Sequence, residues 1–296
     1  MKWEISDRRV RVLCNEGRIE GAVKIGRNWS IPADASKPAD RREKSRTSYL
    51  GLDYDFRYID ELKMRIDDYR PLSKNLAKSL HEKLIIEWTY NSNAIEGNTL
   101  TMSETKVVLE GITIGGKSMR EHLETINHRE AILFVEELVK HEEELSEWNI
   151  KNLHSLILKE IDNENAGKYR CENVLIGGAK HIPPKHYELE SLMNKLIQEY
   201  KREWIELHPI VRSVLLHGEF VKIHPFIDGN GRTARLLLNF ELMRSGYTPI
   251  IIKNTQRATY YDVLDLAHTT ADYGPFIKLV SDLILESEKL WLSVLE

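Results

Sequence analysis

The chain has 296 residues, of which 42% are hydrophobic and 30% charged, with a formal net charge of −4 and two cysteines. That balance describes a globular protein long enough for two domains, or for one large domain with an appendage, and it gives no global case for a nucleic-acid or membrane partner. No apolar run approaches the roughly 20 residues that span a bilayer, and Cys14 and Cys171 stand far apart in sequence, which argues against a disulfide framework and for a reducing cytoplasm.

Residues 1–46 depart from this balance. Arg8, Arg9, Arg11, Arg18, Lys24, Arg27, Arg41, Arg42, Lys44 and Arg46 crowd one end of the chain. Ser6 can cap a short helix carrying Val10 and Leu13 that ends at Gly17, and the alternation from Val23 to Ile31 predicts a small hairpin. A basic helix followed by a basic hairpin suits contact with a phosphate backbone, with Arg8, Arg9 and Arg11 toward the groove. The segment resembles the excisionase and MerR-like winged helix-turn-helix, although the helix that precedes the recognition helix in that family has no counterpart here. A partial docking module, a DNA binder and a merely solvated basic surface are the open readings. Residues 33–46, with Pro38 and many charges, read as a linker.

In residues 47–145 the apolar positions Ile59, Leu62, Ile66, Leu72, Leu76, Leu80, Leu84 and Trp88 recur every three or four residues. They predict two helices broken near Arg70-Pro71, the second ending at Gly97. Glu96 then sits in the last turn, against the negative end of the helix dipole. It requires a cationic partner. A short helix and a glycine turn follow in residues 101–120, then a long helix from Glu121 through Ile132, Phe134, Val135 and Leu138.

Beyond residue 146, Ile150, Leu153, Leu156, Ile157 and Ile161 mark another helix. From Tyr169 to Pro184 two β-prone runs flank Gly177-Gly178 and predict a hairpin, whose exposed edge at Val174, Leu175, Ile176 and Gly177 could pair with an incoming extended peptide. Ile210, Val211, Val214, Leu215 and Phe220 form a helical stripe after Pro209, and Leu236, Phe240 and Met243 form another that ends at Gly246.

Between these two helices lies the stretch from His224 to Arg235. His224 precedes a proline, which moves its backbone out of the helical region and stops the first helix. Gly229, Asn230 and Gly231 tolerate the crowded backbone in which successive N–H groups face one concavity, at the start of a helix whose dipole favours an anion. Arg232 and Arg235 share a helix face and can close on one phosphate chain. Asp228 beside such a nest calls for an intervening cation, and Mg²⁺ on a nucleotide meets that requirement. His224 is the group able to exchange a proton near neutral pH. Alternatively, the stretch is a plain connecting loop, or His217 and His224 join Asp228 on a transition metal, a reading weakened by the absence of a His-x-x-x-His or Cys pair. Further on, the aromatics after Arg257 could close over a base, with Tyr261 the candidate, and a final amphipathic helix runs from Phe276 to Leu295.

Every fixed position of this stretch matches the signature HPF-x-D/E-GNGR-xx-R, so the chain resembles the Fic family of protein adenylyltransferases. The resemblance implies a mainly α fold, a helical bundle with a β-hairpin flap, here with the small N-terminal partial winged helix-turn-helix. It divides the chain into residues 1–46, a helical arm over 47–145, a catalytic core over 146–285 and a C-terminal helix end over 286–296. It implies ATP as co-substrate, Mg²⁺ on Asp228, His224 as general base, and nucleotide contacts from Gly229, Asn230, Gly231, Arg232 and Arg235. Tyr261 would belong to the adenine pocket, although His268 stands where several relatives carry an asparagine. Ser92, Glu96 and Gly97 resemble the family's inhibitory helix, in which the glutamate pairs with the second arginine of the motif, here Arg235. The implied partner is a hydroxyl-bearing protein, which can be the chain itself. Removal of AMP, a different nucleotide donor, or a DNA-binding regulator with a nucleotide-sensing core are the alternatives, and a dimer is left open.

Overall fold

The computed structural model describes residues 54–296, together with Val10, Cys14, Ile19, residues 21–25 and 28–32, and Ala35. Contacts divide the chain into two compact units, Met1–Asp53 and Tyr54–Glu296. In the first, β1 (Val23–Ile25) and β2 (Asn28–Ser30) pair antiparallel with Val23 opposite Ser30, as the alternation predicts. Cys14 and Ile19 are buried there with Val10, Ala22, Trp29, Ile31 and Ala35 around them. The arginines assigned to a DNA groove, Arg8, Arg9 and Arg11, lie outside the described residues.

The second unit is helical. Its elements are α1 (Arg57–Asp67), α2 (Lys74–Ile95), α3 (Met102–Leu109), α4 (Met119–Lys140), α5 (Glu147–Leu158), α6 (Leu189–Gln198), α7 (Pro209–Ile223), α8 (Asn230–Arg244), α9 (Arg257–Thr270) and α10 (Gly274–Leu295). Capping boxes at Thr101 and Ser118 start α3 and α4. Pro209 opens α7 at the position where a missing N–H costs nothing. The core forms around the α7–α8 hairpin: α8 also packs on α4 and α5, and α7 on α6, α9 and α10. Val214, Leu215, Leu216 and Phe220 of α7 and Leu236, Leu238 and Phe240 of α8 are essentially inaccessible. This pair is the scaffold of the loop between them.

One expected element is absent as drawn. Residues 169–184 carry no strand pairing; the segment is irregular, with a turn closed by the Ala179 N–H on the Ile176 carbonyl. Its ends are tied by side chains instead. Arg170 donates to the carbonyls of Glu172 and Pro184, and Asp265 accepts from the Lys180 and His181 amides. Pro183-Pro184 supply no N–H for a ladder. The helix α6, buried through Leu189, Met193 and Leu196, occupies a stretch for which the sequence reading offers no element.

Candidate active site

The α7–α8 loop begins with a strained residue. His224 ends α7 in the left-handed region, at φ 51° and ψ 59°, rather than in the extended region favoured before proline. Two contacts hold it there: its N–H donates to the Phe220 carbonyl at 3.0 Å, and its own carbonyl accepts from Arg170 Nε at 2.9 Å. Burial lowers the imidazole to about 4, with the Arg170 charge acting in the same direction. The ring is therefore neutral near pH 7.

Phe226 and Asn230 fix the middle of the loop. Asn230 is buried and spends its side chain on the backbone, accepting from Phe226 N at 3.0 Å and donating to Phe226 O at 2.8 Å. Its side chain is thus a clamp, and only its amide can face an anion. Gly229 turns into α8 at φ 78° with no side-chain cap on the helix. The first N–H groups of α8 are free for a ligand. At Gly231 a Cβ would stand 2.3 Å from Glu96 Oε1 and 3.1 Å from Arg235 Nη1. Only glycine leaves that concavity open.

The two arginines diverge in their partners. Arg235 Nη2 donates to Glu96 Oε1 at 2.7 Å and to the Ser92 carbonyl at 2.8 Å, while its Nε reaches Ser92 Oγ at 3.1 Å. Arg232 lies 3.4 Å from Asp228 Oδ1 and 3.5 Å from Glu124 Oε1. Both guanidiniums are almost completely buried, yet Arg232 Nε and Nη1 and Arg235 Nη1 have no hydrogen-bond partner. Buried donors without acceptors carry a desolvation cost that a phosphate oxygen would remove. The site fits a polyphosphate.

Asp228 accepts from the Gly229 amide at 2.6 Å and, through Oδ2, from Arg120 Nη2 at 2.6 Å. Burial pushes this carboxyl up, but Arg232, the Gly229 amide and Arg120 outweigh it and hold it below the usual range. Among the described residues no cluster of three metal-ligating side chains exists, and His217 is turned into the core, bonded to Tyr260 Oη at 2.8 Å. A lone ionised carboxylate beside a phosphate nest matches Mg²⁺, which takes one or two carboxylates and completes its shell with phosphate and water.

Glu96 owes its place to the end of α2. Gly97, at φ 99°, closes a Schellman turn, with its N–H on the Ala94 carbonyl and the Asn98 N–H on the Asn93 carbonyl. Arg257 Nε caps the Ile95 carbonyl at 2.7 Å, and the Tyr261 hydroxyl is 3.5 Å from the same oxygen. The Arg257 guanidinium lies over the Tyr261 ring at 4.7 Å. Tyr261 thus abuts the α2 terminus. His268 bonds the Gly218 carbonyl at 2.9 Å. In the segment read as a docking edge, Leu175 is 82% exposed, Gly177 is exposed, and Val174 and Ile176 are half-buried.

Three contributors, Arg120, Glu124 and His154, carry no spacing signal in the sequence, and Arg170 falls in the run read as a hairpin. The His154 ring stacks parallel on Phe226 at 3.6 Å, accepts from the Gly167 amide through Nδ1 at 2.9 Å and meets the Asp228 carbonyl through Nε2 at 2.8 Å. Only amphipathic periodicity marks its helix, and on that pattern it reads as core.

The model for the Fic/DOC family matches residues 144–242. The protein adenylyltransferase Fic of Drosophila erecta is 34% identical over 265 residues, spanning 88% of this chain and 52% of its own length. That of Drosophila willistoni is 38% identical over 205 residues. The second match spans 69% of this chain and 41% of the relative, so the chain covers about half or less of the length of these fly proteins. Among solved structures, a Fic domain containing signaling protein from Bacteroides thetaiotaomicron superposes with a TM-score of 0.74 at 31% identity, covering 80% of this chain and 96% of that one. Fic-1 from C. elegans gives 0.72 at 30% identity, covering 86% and 73%.

Proposed function

The chain belongs to the Fic/DOC family, and from that premise we propose that it is a protein adenylyltransferase, transferring AMP from ATP to a Ser, Thr or Tyr hydroxyl of a protein, and that Glu96 restrains it. The observation that supports this reading is the convergence on one helix N-terminus of a neutral His224, an ionised Asp228 and the buried, incompletely bonded Arg232 and Arg235.

The acceptor hydroxyl attacks the α-phosphorus of ATP. A new oxygen–phosphorus bond forms, the bond to the β-phosphate oxygen breaks, and His224 takes the hydroxyl proton. The α8 amides at Asn230 and Gly231, with Arg232 and Arg235, bind the polyphosphate and stabilise the charge gathering on pyrophosphate. Asp228 would hold Mg²⁺, which when bound neutralises charge across the phosphates. Tyr261 and Arg257 of α9, which meet the Ile95 carbonyl at the end of α2, would border the nucleotide base. The exposed segment around Leu175 would present backbone groups to the acceptor peptide.

Glu96 occupies the Arg235 fork that a terminal phosphate would need. Nucleotide must then bind in a pose that leaves the attack line, or Glu96 must leave. The same carboxylate, with 32% of its side chain exposed, could instead orient a water for removal of AMP; this is the second reading. Label transfer from α-labelled ATP to protein tests the assignment: His224→Ala should abolish it while leaving the thermal unfolding curve in place.

A further inference from the structure

Outside the motif, a short chain of charged groups runs from α4 across the mouth of the site. Arg120, in the first turn of α4, donates to Asp228 Oδ2 at 2.6 Å and to Glu124 Oε1 at 3.1 Å. Glu124, 13% exposed, also faces Arg232 at 3.5 Å and accepts from Asn98 Nδ2 at 2.9 Å, two residues beyond Glu96. Asp228 Oδ1 is already engaged by the Gly229 amide and Arg232. The oxygen left for a metal ion is thus the one that Arg120 holds.

We propose that Arg120 is a resident counter-ion of Asp228, and that Arg120 and the divalent ion are alternative occupants of the same carboxylate oxygen. The inference rests on the adenylyl-transfer reading, since it takes Asp228 as the metal carboxylate. A guanidinium on Oδ2 would compete with a divalent ion for that oxygen, because two cations on one carboxylate oxygen repel. The exchange is mechanically cheap. The Arg120 side chain is 57% exposed, so it can swing into water without opening the core, and Glu124 remains as its partner after it leaves. Without the ion, Arg120 keeps Asp228 neutralised beside Arg232. When the ion arrives, Arg120 must yield. The consequence is a metal requirement set higher than the carboxylate alone would give.

The test is Mn²⁺ binding, followed by electron paramagnetic resonance, to the full chain carrying Glu96→Gly and a non-hydrolysable ATP analogue. Arg120→Gln should tighten Mn²⁺ about threefold or more, the size expected on removing one partly exposed competing charge. Arg120→Lys, which keeps the charge, should stay nearer the parent, and Asp228→Asn should lose the protein-dependent site. Unchanged or weaker Mn²⁺ binding in Arg120→Gln, with Asp228→Asn still abolishing it, would overturn the proposal and make Arg120 a phosphate or structural contact. If Asp228→Asn binds Mn²⁺ like the parent, the metal assignment itself falls and the proposal with it. Label transfer by the parent, measured in parallel, shows whether adenylyl transfer stands independently of either result.

Discussion

Glu96 Oε1 and Arg235 Nη2 meet at 2.7 Å across the interface between the end of α2 and the first turns of α8. The pair is asymmetric, with Arg235 4% exposed and Glu96 32%. Arg235 keeps two bonds to Ser92 without Glu96, whereas the Glu96 side chain has no other hydrogen-bonded partner among the described residues. The carboxylate is thus the part that can be removed.

Glu96→Gly should raise the initial rate of AMP transfer, to an acceptor or to the chain itself, by about tenfold or more, the equivalent of about 1.4 kcal/mol. It should also lower stability without ligand by about 1–3 kcal/mol, because a buried guanidinium loses its counter-charge. ATP should therefore raise the melting temperature of the variant more than that of the parent. Unchanged transfer would remove the inhibitory role while leaving the catalytic one in place.

The pH dependence follows from His224. In the proposed mechanism its neutral form is the base, and burial holds the imidazole near 4 in the folded chain. Transfer by Glu96→Gly, as kcat/KM, should stay on its plateau below pH 6 and fall on an acid limb near pH 4 to 5. An unshifted histidine would give a limb near 6.5. The stability sign is fixed too. Unfolded, the ring binds a proton around 6.5; folded, around 4. The stability present above 6.5 is lost as pH falls toward 4, which urea titrations across that window would measure.

His154 backs the α7–α8 loop through Phe226 and the Asp228 carbonyl. His154→Phe keeps the stack on Phe226 but drops both the Gly167 and the Asp228 contacts. It should lower kcat by about ten- to a hundredfold through misplaced groups with a smaller change in KM for ATP. His154→Gln, which can still donate toward the Asp228 carbonyl, should recover part of the loss. Equal losses in the two variants, tracking their melting temperatures, would mean a purely structural role.

The α7–α8 loop was legible because the residue types that shape it are local. Gly229, Asn230, Gly231, Arg232 and Arg235 lie within seven positions of one another, and their residue types suffice to place a helix N-terminus with two arginines on its first turns. Glu96 was legible for a different reason, since a carboxylate in a last helical turn needs a cation, and the Fic resemblance supplied Arg235. The 169–184 segment misled because β-prone residues and a glycine pair describe a turn without saying what satisfies its flanks. Arg170, Asp265 and two prolines do so here, and no ladder forms. Arg120, Glu124 and His154 were invisible because their meaning lies in tertiary neighbours. A histidine on an amphipathic helix looks the same whether it backs a catalytic loop or an ordinary core.

Intact-protein mass spectrometry after incubation with ATP and Mg²⁺ tests the central claim most directly, using Glu96→Gly and the double variant with His224→Ala. Adenylyl transfer by His224 predicts a mass gain of one adenylate, or of whole multiples, on the first protein and none on the second. ATP turned over with no mass gain on the chain or on any added protein acceptor, or an equal gain in both variants, would contradict it.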